Sequence, residues 1–279
     1  MAGQLRLMCI FAHPDDETLG AGGILAKYAQ EGIATYLITA TRGERGWAGA
    51  PDQKPSMAEL GKIRESELRC AAAILGVREV IFLDYIDGEV DQANPAEITA
   101  KIVHHLRRVR PHVVVTMDPQ GVYGHPDHIA VGQFALGAVV AAGSSLTAGD
   151  DLPPHVVSKL YMMAETQSAI DGFSAAFGSP LGISVDGEER RPAGWPGWAV
   201  SASVDTAAYW PKVVQALACH KTQINDLAAF AAMPQKHSPK VWGIRNFYRA
   251  YSLVNAGRDK EDDLFAGLRP PGGKAETPA

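Results

Sequence analysis

The strongest constraint in this sequence is a recurring unit: an apolar run of strand formers, then a polar cluster, then a segment with helical spacing. Leu5 to Ala12 is almost continuously apolar, as expected of a strand buried on both faces, and it ends at His13-Pro14-Asp15-Asp16-Glu17. Residues 19–31 read as a helix whose Gly22, Gly23, Ala26 and Ala29 permit close approach to a sheet; Gly32 stops it, and Ile33 to Thr39 resumes as a strand. A helix over 58–75 carries Leu60, Ile63, Leu68, Ala71 and Leu75 on one face and ends at Gly76. A strand over 79–83, a helix over 96–109, a short buried strand from Val113 to Thr116 and a helix over 129–142 complete the series. The expected architecture is α/β: a Rossmann-like three-layer αβα fold with a mostly parallel sheet and the active site at the carboxyl ends of its strands. Polar clusters follow strands at 13–17, 41–46, 84–89 and 117–128, and in an open parallel sheet those crevices bind ligands.

Beyond residue 143 the pattern loosens. Gly143 to Pro154 reads as a linker, Lys159 to Ala164 as a strand, and 207–229 as one helix with Trp210, Val213, Leu217, His220, Ile224 and Leu227 on its stripe. The Gly-, Pro- and Ser-rich stretch 165–199 reads either as a lid over the crevice or as a decorative insertion. A last strand is expected at about 247–254. The expected organisation is one domain over 1–256, with an α/β core over 1–143 and a C-terminal part over 144–256, followed by a flexible tail over 257–279.

Composition removes several function classes. The 279 residues carry 26 Lys+Arg against 31 Asp+Glu, a net charge of -5, so no global positive field is available to wrap nucleic acid. The longest apolar runs fall short of a membrane span, and Met1 to Arg6 leads into the first strand without a secretory leader. Cys9, Cys70 and Cys219 form no metal knuckle and read as buried thiols of a cytoplasmic protein.

Two of the polar clusters can carry chemistry. Asp15, Asp16 and Glu17 suit a helix N-terminus, where Asp caps and Glu meets the helix dipole. Capping leaves His13 and the mutual repulsion of three carboxylates unexplained; a bound cation would relieve both. His13 and Asp16 flank a proline turn and can converge on one metal. The second cluster, Tyr123-Gly124-His125-Pro126-Asp127-His128, again lies between a buried strand and a helix. A close ligand pair plus one distant ligand, with a position left for water, is the pattern of a catalytic zinc site. Spacing alone allows either His125 or His128 as the distant ligand.

Ala12-His13-Pro14-Asp15-Asp16-Glu17, Gly20, Gly22-Gly23, Thr41-Arg42-Gly43-Glu44, Arg64 with Glu67, and His125-Pro126-Asp127-His128 together resemble the LmbE-like (PIG-L) metal-dependent deacetylases, over roughly residues 5–135. The resemblance implies a zinc-dependent N-deacetylase with His13, Asp16 and His128 as metal ligands. It implies that Asp15 is the general base toward zinc-bound water, and that His125 is the acid for the leaving amine, its ring held by Asp127. Tyr123 would contact the oxyanion. These roles are chemically coherent, because a metal polarises the carbonyl and acidifies water while an imidazolium can protonate a poor amine leaving group.

For Arg42 and Glu44 the expectations are substrate recognition or a surface salt bridge. Arg64 is expected to bind substrate, supported by Glu67, against an ordinary i,i+3 surface pair. His220 is either a pocket wall or a packed core histidine. The metal is Zn²⁺, with Fe²⁺ as the alternative. The expected partner is a small amino-sugar substrate, with no nucleic acid or membrane, and a homo-oligomer is left open. The expected reaction is removal of an N-acetyl group from a glucosamine-containing small molecule. The alternatives are an amidase cleaving larger acyl groups from a thiol conjugate or other amino-sugar derivative, and a non-catalytic metal-binding relative. A dinucleotide enzyme is disfavoured: Gly20-Ala21-Gly22-Gly23 is not G-x-G-x-x-G, and the carboxylates before it would repel pyrophosphate.

Overall fold

The structure, a computed structural model, describes residues 4–145, 151–178, 180, 182–185, 187–255 and 259–269. The apolar runs become strands β1 (Arg6–Phe11), β2 (Ala34–Thr41), β3 (Glu79–Tyr85), β4 (Val113–Thr116) and β5 (Lys159–Met163). Between and after them come helices α1 (Asp16–Gln30), α2 (Met57–Leu75), α3 (Pro95–Val109), α4 (Gly121–Gly124) and α5 (Pro126–Ala142). Local chemistry sets the boundaries. Ser56 and Glu59 form a reciprocal capping box at the start of α2, and Gly76 ends it at φ 77°. Asn94 accepts from Ala96 N and Glu97 N ahead of Pro95 at the start of α3.

The sheet runs in the order β3-β2-β1-β4-β5-β9-β8, where β8 is Ala202–Asp205 and β9 is Ile244–Ser252. The first five strands are parallel and the last two pair antiparallel. Helices α1, α2 and α7 (Trp210–Leu217) pack together, as do α3 and α5, giving the Rossmann-like α/β/α arrangement. Strands β1 and β2 are buried almost throughout, and Leu7, Met8, Ile10, Phe11, Leu37, Ile38, Val114 and Val115 form the centre of the core. The strand order reverses between β1 and β4, so the loops leaving these two strands open onto one crevice. No helix among the described residues is long and apolar enough to cross a membrane.

The second half departs from expectation in several places. The helix expected over 207–229 is broken: a 3₁₀ turn over Ala207–Tyr209 precedes α7, residues 218–226 form turns, and α8 covers Leu227–Lys236. The apolar spacing of 207–229 survives because α7 and α8 both face a second small core of Trp210, Val213, Leu217, Met233 and Trp242. The stretch 165–199 holds α6 (Gln167–Phe177) and the hairpin β6 (Ile183–Val185) and β7 (Glu188–Arg190). Trp195 Nε1 donates to Asp118 Oδ2 at 2.7 Å, and Arg190 Nη1 donates to the Gly124 carbonyl, so this stretch is tied to the loop after β4. The short α9 (Pro239–Trp242) leads into β9.

The expected flexible tail is in part a packed element. Leu264 and Phe265 are fully buried, Tyr28 donates to Asp263 Oδ1 at 3.0 Å, and Glu261 accepts from the buried Lys159 at 2.6 Å. Residues 257–258 and 270–279 lie outside the described residues. The three-thiol reading also changes. Cys70 on α2 is bonded to Cys219 just after α7, across 149 residues of sequence, and only Cys9 stays a buried thiol. Neither cysteine's local sequence reveals this pairing, which arises because α2 and α7 share one layer; the argument for a reducing compartment loses its support.

Candidate active site

The loop after β1 is shaped by one unusual residue. Asp15 has φ 111°, a left-handed conformation that costs a non-glycine residue of order 1–3 kcal/mol and persists only where the surroundings enforce it. Its backbone N–H donates to Glu17 Oε2 at 2.9 Å, and its carboxylate accepts from Arg64 Nη2 at 3.1 Å. Glu17 is itself held by His220 Nε2 at 2.8 Å. The Arg64 guanidinium is buried and donates to the carbonyls of Gly43, at 2.8 Å, and Pro14. Glycine is required at position 43, where φ is 67° and a Cβ would collide with that guanidinium.

Asp16 opens α1, and its Oδ2 accepts the N–H groups of Ala12 at 3.2 Å and His13 at 2.8 Å, turning its carboxylate back across the end of β1. On the other side of the crevice, His125 is the N-cap of α5 with Pro126 at the first helical position, and His128 lies one turn on. The two loops meet. His13 Nδ1 lies 3.0 Å from His128 Nε2, which lies 3.3 Å from Asp16 Oδ1; Asp16 Oδ2 is 3.8 Å from His13 Nδ1. Bonds of about 2.0–2.1 Å to a tetrahedral ion set neighbouring ligand atoms roughly 3.3 Å apart, a spacing that the His13–His128 and His128–Asp16 contacts match, while the two Asp16 contacts run to different carboxylate oxygens. His13, Asp87 and Asp127 form a second group whose ligand atoms lie within 4.8 Å of one another. His125 offers a further nitrogen, within 4.8 Å of the other two histidines.

The opposite edge of His13 is also engaged. Its Nε2 lies 3.0 Å from Asp127 Oδ2 and 3.1 Å from Asp87 Oδ1. Burial alone would lower the basicity of His13, but these two carboxylates outweigh it and hold the imidazole well above its ordinary value. These carboxylates keep one proton on Nε2, so that a metal would displace only the other from Nδ1, the arrangement by which an outer carboxylate orients a ligating histidine. Burial pushes the Asp15 carboxyl up to about 6, against the pull of Arg64. Burial likewise raises Asp16, partly opposed by His13. His128 is pushed well below its ordinary value, first by burial and then by its histidine neighbours. Burial and nearby carboxylates raise Tyr123, which keeps its hydroxyl proton. His125 and His128, both lowered, stay neutral beside these buried carboxylates, and such a donor set suits a cation.

Two cavities meet here. One, of about 720 Å³, is lined by His13, Asp15, Arg45, Arg64, Asp87, Tyr123, His125 and Gln223 among others. The second, of about 320 Å³, shares Asp15 and Tyr123, takes in Asp16 and His128, and is otherwise largely apolar.

Several expected placements change. Asp127 was assigned to the His125 ring, but its carboxylate is turned toward His13 and the β3 loop, where it accepts from Gly88 N at 2.7 Å and Val90 N at 3.0 Å. His125 Nδ1 accepts instead from the Asp127 backbone N–H at 3.1 Å. Arg42 does not line the cavity; it pairs with Glu65 at 2.6 Å and Asp84 at 2.5 Å over the Phe82 ring, which is the surface-bridge alternative. Glu44 is buried and acts at one remove, accepting the Asp87 N–H at 3.2 Å. Arg64 lines the cavity, but Glu67 does not support it: Glu67 accepts from Thr222 N and Oγ1 at 2.9 and 2.6 Å. His220 is fully buried and lines neither cavity; its partner is Glu17 rather than backbone. Sequence reading missed Asp87, whose only signal was its place in the polar cluster after β3. Of the pair His220 and Gln223, weighed from sequence as a pocket wall, only Gln223 lines the polar cavity, where it donates to the Gly46 carbonyl at 2.8 Å.

Comparison with known proteins agrees with this geometry. The PIG-L family model, described as GlcNAc-PI de-N-acetylase, matches residues 8–139. A 1D-myo-inositol 2-acetamido-2-deoxy-alpha-D-glucopyranoside deacetylase from Geodermatophilus obscurus is 36% identical over 295 residues, covering 96% of this chain and 99% of the relative. A protein of the same description from Acidothermus cellulolyticus is 32% identical, covering 94% of each. Among solved structures, the conserved protein TT1542 from Thermus thermophilus superposes with a TM-score of 0.64 at 25% identity, covering 91% of this chain and 98% of that one.

Proposed function

Since this chain belongs to the PIG-L family, we propose that it hydrolyses the acetamide of a small glucosamine-containing molecule, releasing acetate and the free amine. The observation that carries this reading is the convergence of His13, Asp16 and His128 on one point at the edge of a polar cavity, with Asp15 beside it. We assign these three as ligands of Zn²⁺, with Fe²⁺ as the alternative that the same mixed donors accept. When bound, such an ion polarises the amide carbonyl and makes water a nucleophile near neutral pH.

The remaining roles belong to the protein. Asp15, fixed by Arg64 and the Glu17 contact to its backbone, accepts the proton of the attacking water. His125, whose ring is half-buried in the cavity wall and is held below its ordinary value by burial and by His13, takes up a proton and delivers it to the departing nitrogen. Tyr123 stays protonated and donates to the developing oxyanion. Asp127 and Asp87 hold the His13 ring in its ligating orientation. Arg45, Arg64, Asp87 and Gln223 offer the mixed donors and acceptors that sugar or cyclitol hydroxyls need.

The relatives' names point to N-acetylglucosaminyl-inositol as the first substrate to try. Amine release should be followed from that compound, N-acetylglucosamine and diacetylchitobiose, with added zinc or iron(II) and after chelation. Metal-dependent release from at least one is expected. Silence from all three in protein shown to hold metal would overturn the acetamide assignment while leaving the metal site in place.

A further inference from the structure

We infer that the acyl side of the site accepts chains longer than acetyl, so that the protein cleaves medium-chain N-acyl amino sugars in preference to the N-acetyl form. This inference rests on the amide hydrolysis proposed above. It begins from the way the two cavities meet. Both contain Asp15 and Tyr123; the polar one adds His13 and His125, and the other adds Asp16 and His128. The reacting carbon therefore sits at the junction of two spaces of opposite character.

An amide has two substituents, and they diverge from the carbon under attack. The amine substituent of the proposed substrate is a polyhydroxylated ring, which matches the cavity bearing Arg45, Arg64, Asp87 and Gln223. The acyl substituent must point the other way, toward the space walled by Leu19, Met163, Ile170, Phe173, Phe177 and Phe230. That space measures about 320 Å³, whereas a methyl group is about as large as one water, ~30 Å³. Acetyl would leave most of it unfilled, and apolar walls favour filling by apolar groups. The walls have structural support of their own. Phe173, Phe177 and Phe230 pack on the small core formed with Trp210 and Trp242, and Arg245 lies 5.9 Å from the Phe173 ring. Glu165, which pairs with Arg245 at 3.6 Å, also lines the space, and its buried Oε2 has no hydrogen-bond partner.

The reaction stays balanced for any chain length. The water oxygen forms the new bond to the acyl carbon, the carbon–nitrogen bond breaks, its electron pair remains on nitrogen, and one water proton ends on the amine. A fatty acid and the amino sugar are the products.

The test is a series of N-acylglucosamines from acetyl through butanoyl and hexanoyl to decanoyl, assayed with the metal-loaded, full-length enzyme by amine release. With burial of each methylene, kcat/KM is expected to rise by about fourfold until the chamber is full. Ile170→Trp should lower the hexanoyl-to-acetyl ratio of kcat/KM, and Phe173→Ala should move the optimum to longer chains; the opposed shifts separate chamber size from general damage to the fold. If acetyl is cleaved best and the ratio falls with every added methylene, the inference is wrong and the acetamide reading stands. If neither substitution moves the ratio, the chamber does not hold the acyl group. Absence of metal-dependent amine release from every member, and from N-acetylglucosaminyl-inositol, would take down both.

Discussion

His13 and Asp15 lie two positions apart yet have separable proposed roles. His13→Ala should abolish tight metal binding, read by equilibrium titration with zinc, because it removes an atom from the converging set; full retention of affinity would remove His13 from the ligands. Asp15→Asn should keep the metal and lower kcat by about 10²–10⁴-fold, the range for loss of a general base. Asp127→Asn distinguishes two geometries. If the carboxylate serves His13, as its 3.0 Å contact indicates, metal affinity should weaken by about 10–100-fold. A loss of kcat at unchanged metal affinity would return Asp127 to His125. This residue also shows what sequence can and cannot reveal. The presence of both clusters was legible because polar loops after buried strands have few structural uses. Which ring Asp127 touches was not: the first turn of α5 carries its side chain away from its sequence neighbour and onto the amides of Gly88 and Val90. Asp87 was invisible for the same reason, since its meaning comes from a loop brought alongside by β3.

At the scale of elements, periodicity served well wherever one helix or strand faces one core. It located β1 to β5 and the α/β layers, because their hydrophobic faces are set by the central sheet. It failed over 207–229, where two helices separated by turns preserve a single stripe against the second core. The turn between them carries much of the support of the site. Cys219, His220, Thr222 and Gln223 reach Cys70, Glu17, Glu67 and the Gly46 carbonyl in turn. Closing a loop of this length by a disulfide contributes about 2–4 kcal/mol in typical proteins. Cys70→Ser should therefore lower the unfolding free energy obtained from urea denaturation by an amount in that range, and dithiothreitol should produce the same loss in the parent protein and none in the variant. Identical midpoints in oxidised and reduced parent protein would show that the 218–226 turn is held by its side-chain contacts alone.

Over the whole molecule, the C-terminal segment is a structural member of the core. Glu261 gathers Lys159 at 2.6 Å, Arg249 at 3.1 Å and the Tyr161 hydroxyl. Burial would raise its carboxyl, but these partners outweigh burial and hold it below its ordinary value of 4.5. A depressed folded-state value means that its contribution to stability is present above that ordinary value and is lost as pH falls through the folded one. Glu261→Gln should thus cost stability at pH 6 and progressively less as the pH is lowered below 4.5, read as the difference in urea midpoint from the parent; a pH-independent difference would assign its role to packing. The reversal of strand order between β1 and β4 has a further consequence, in the time course of synthesis. His13 and His128, which face each other across the crevice, are 115 residues apart in the chain. At ordinary elongation rates the ribosome needs on the order of ten seconds to pass from one to the other. A nascent chain that displays His13 and Asp16 still lacks His128, so under the ligand set proposed above metal capture would follow emergence of the second loop and would serve as a late signal that the sheet has closed around its centre.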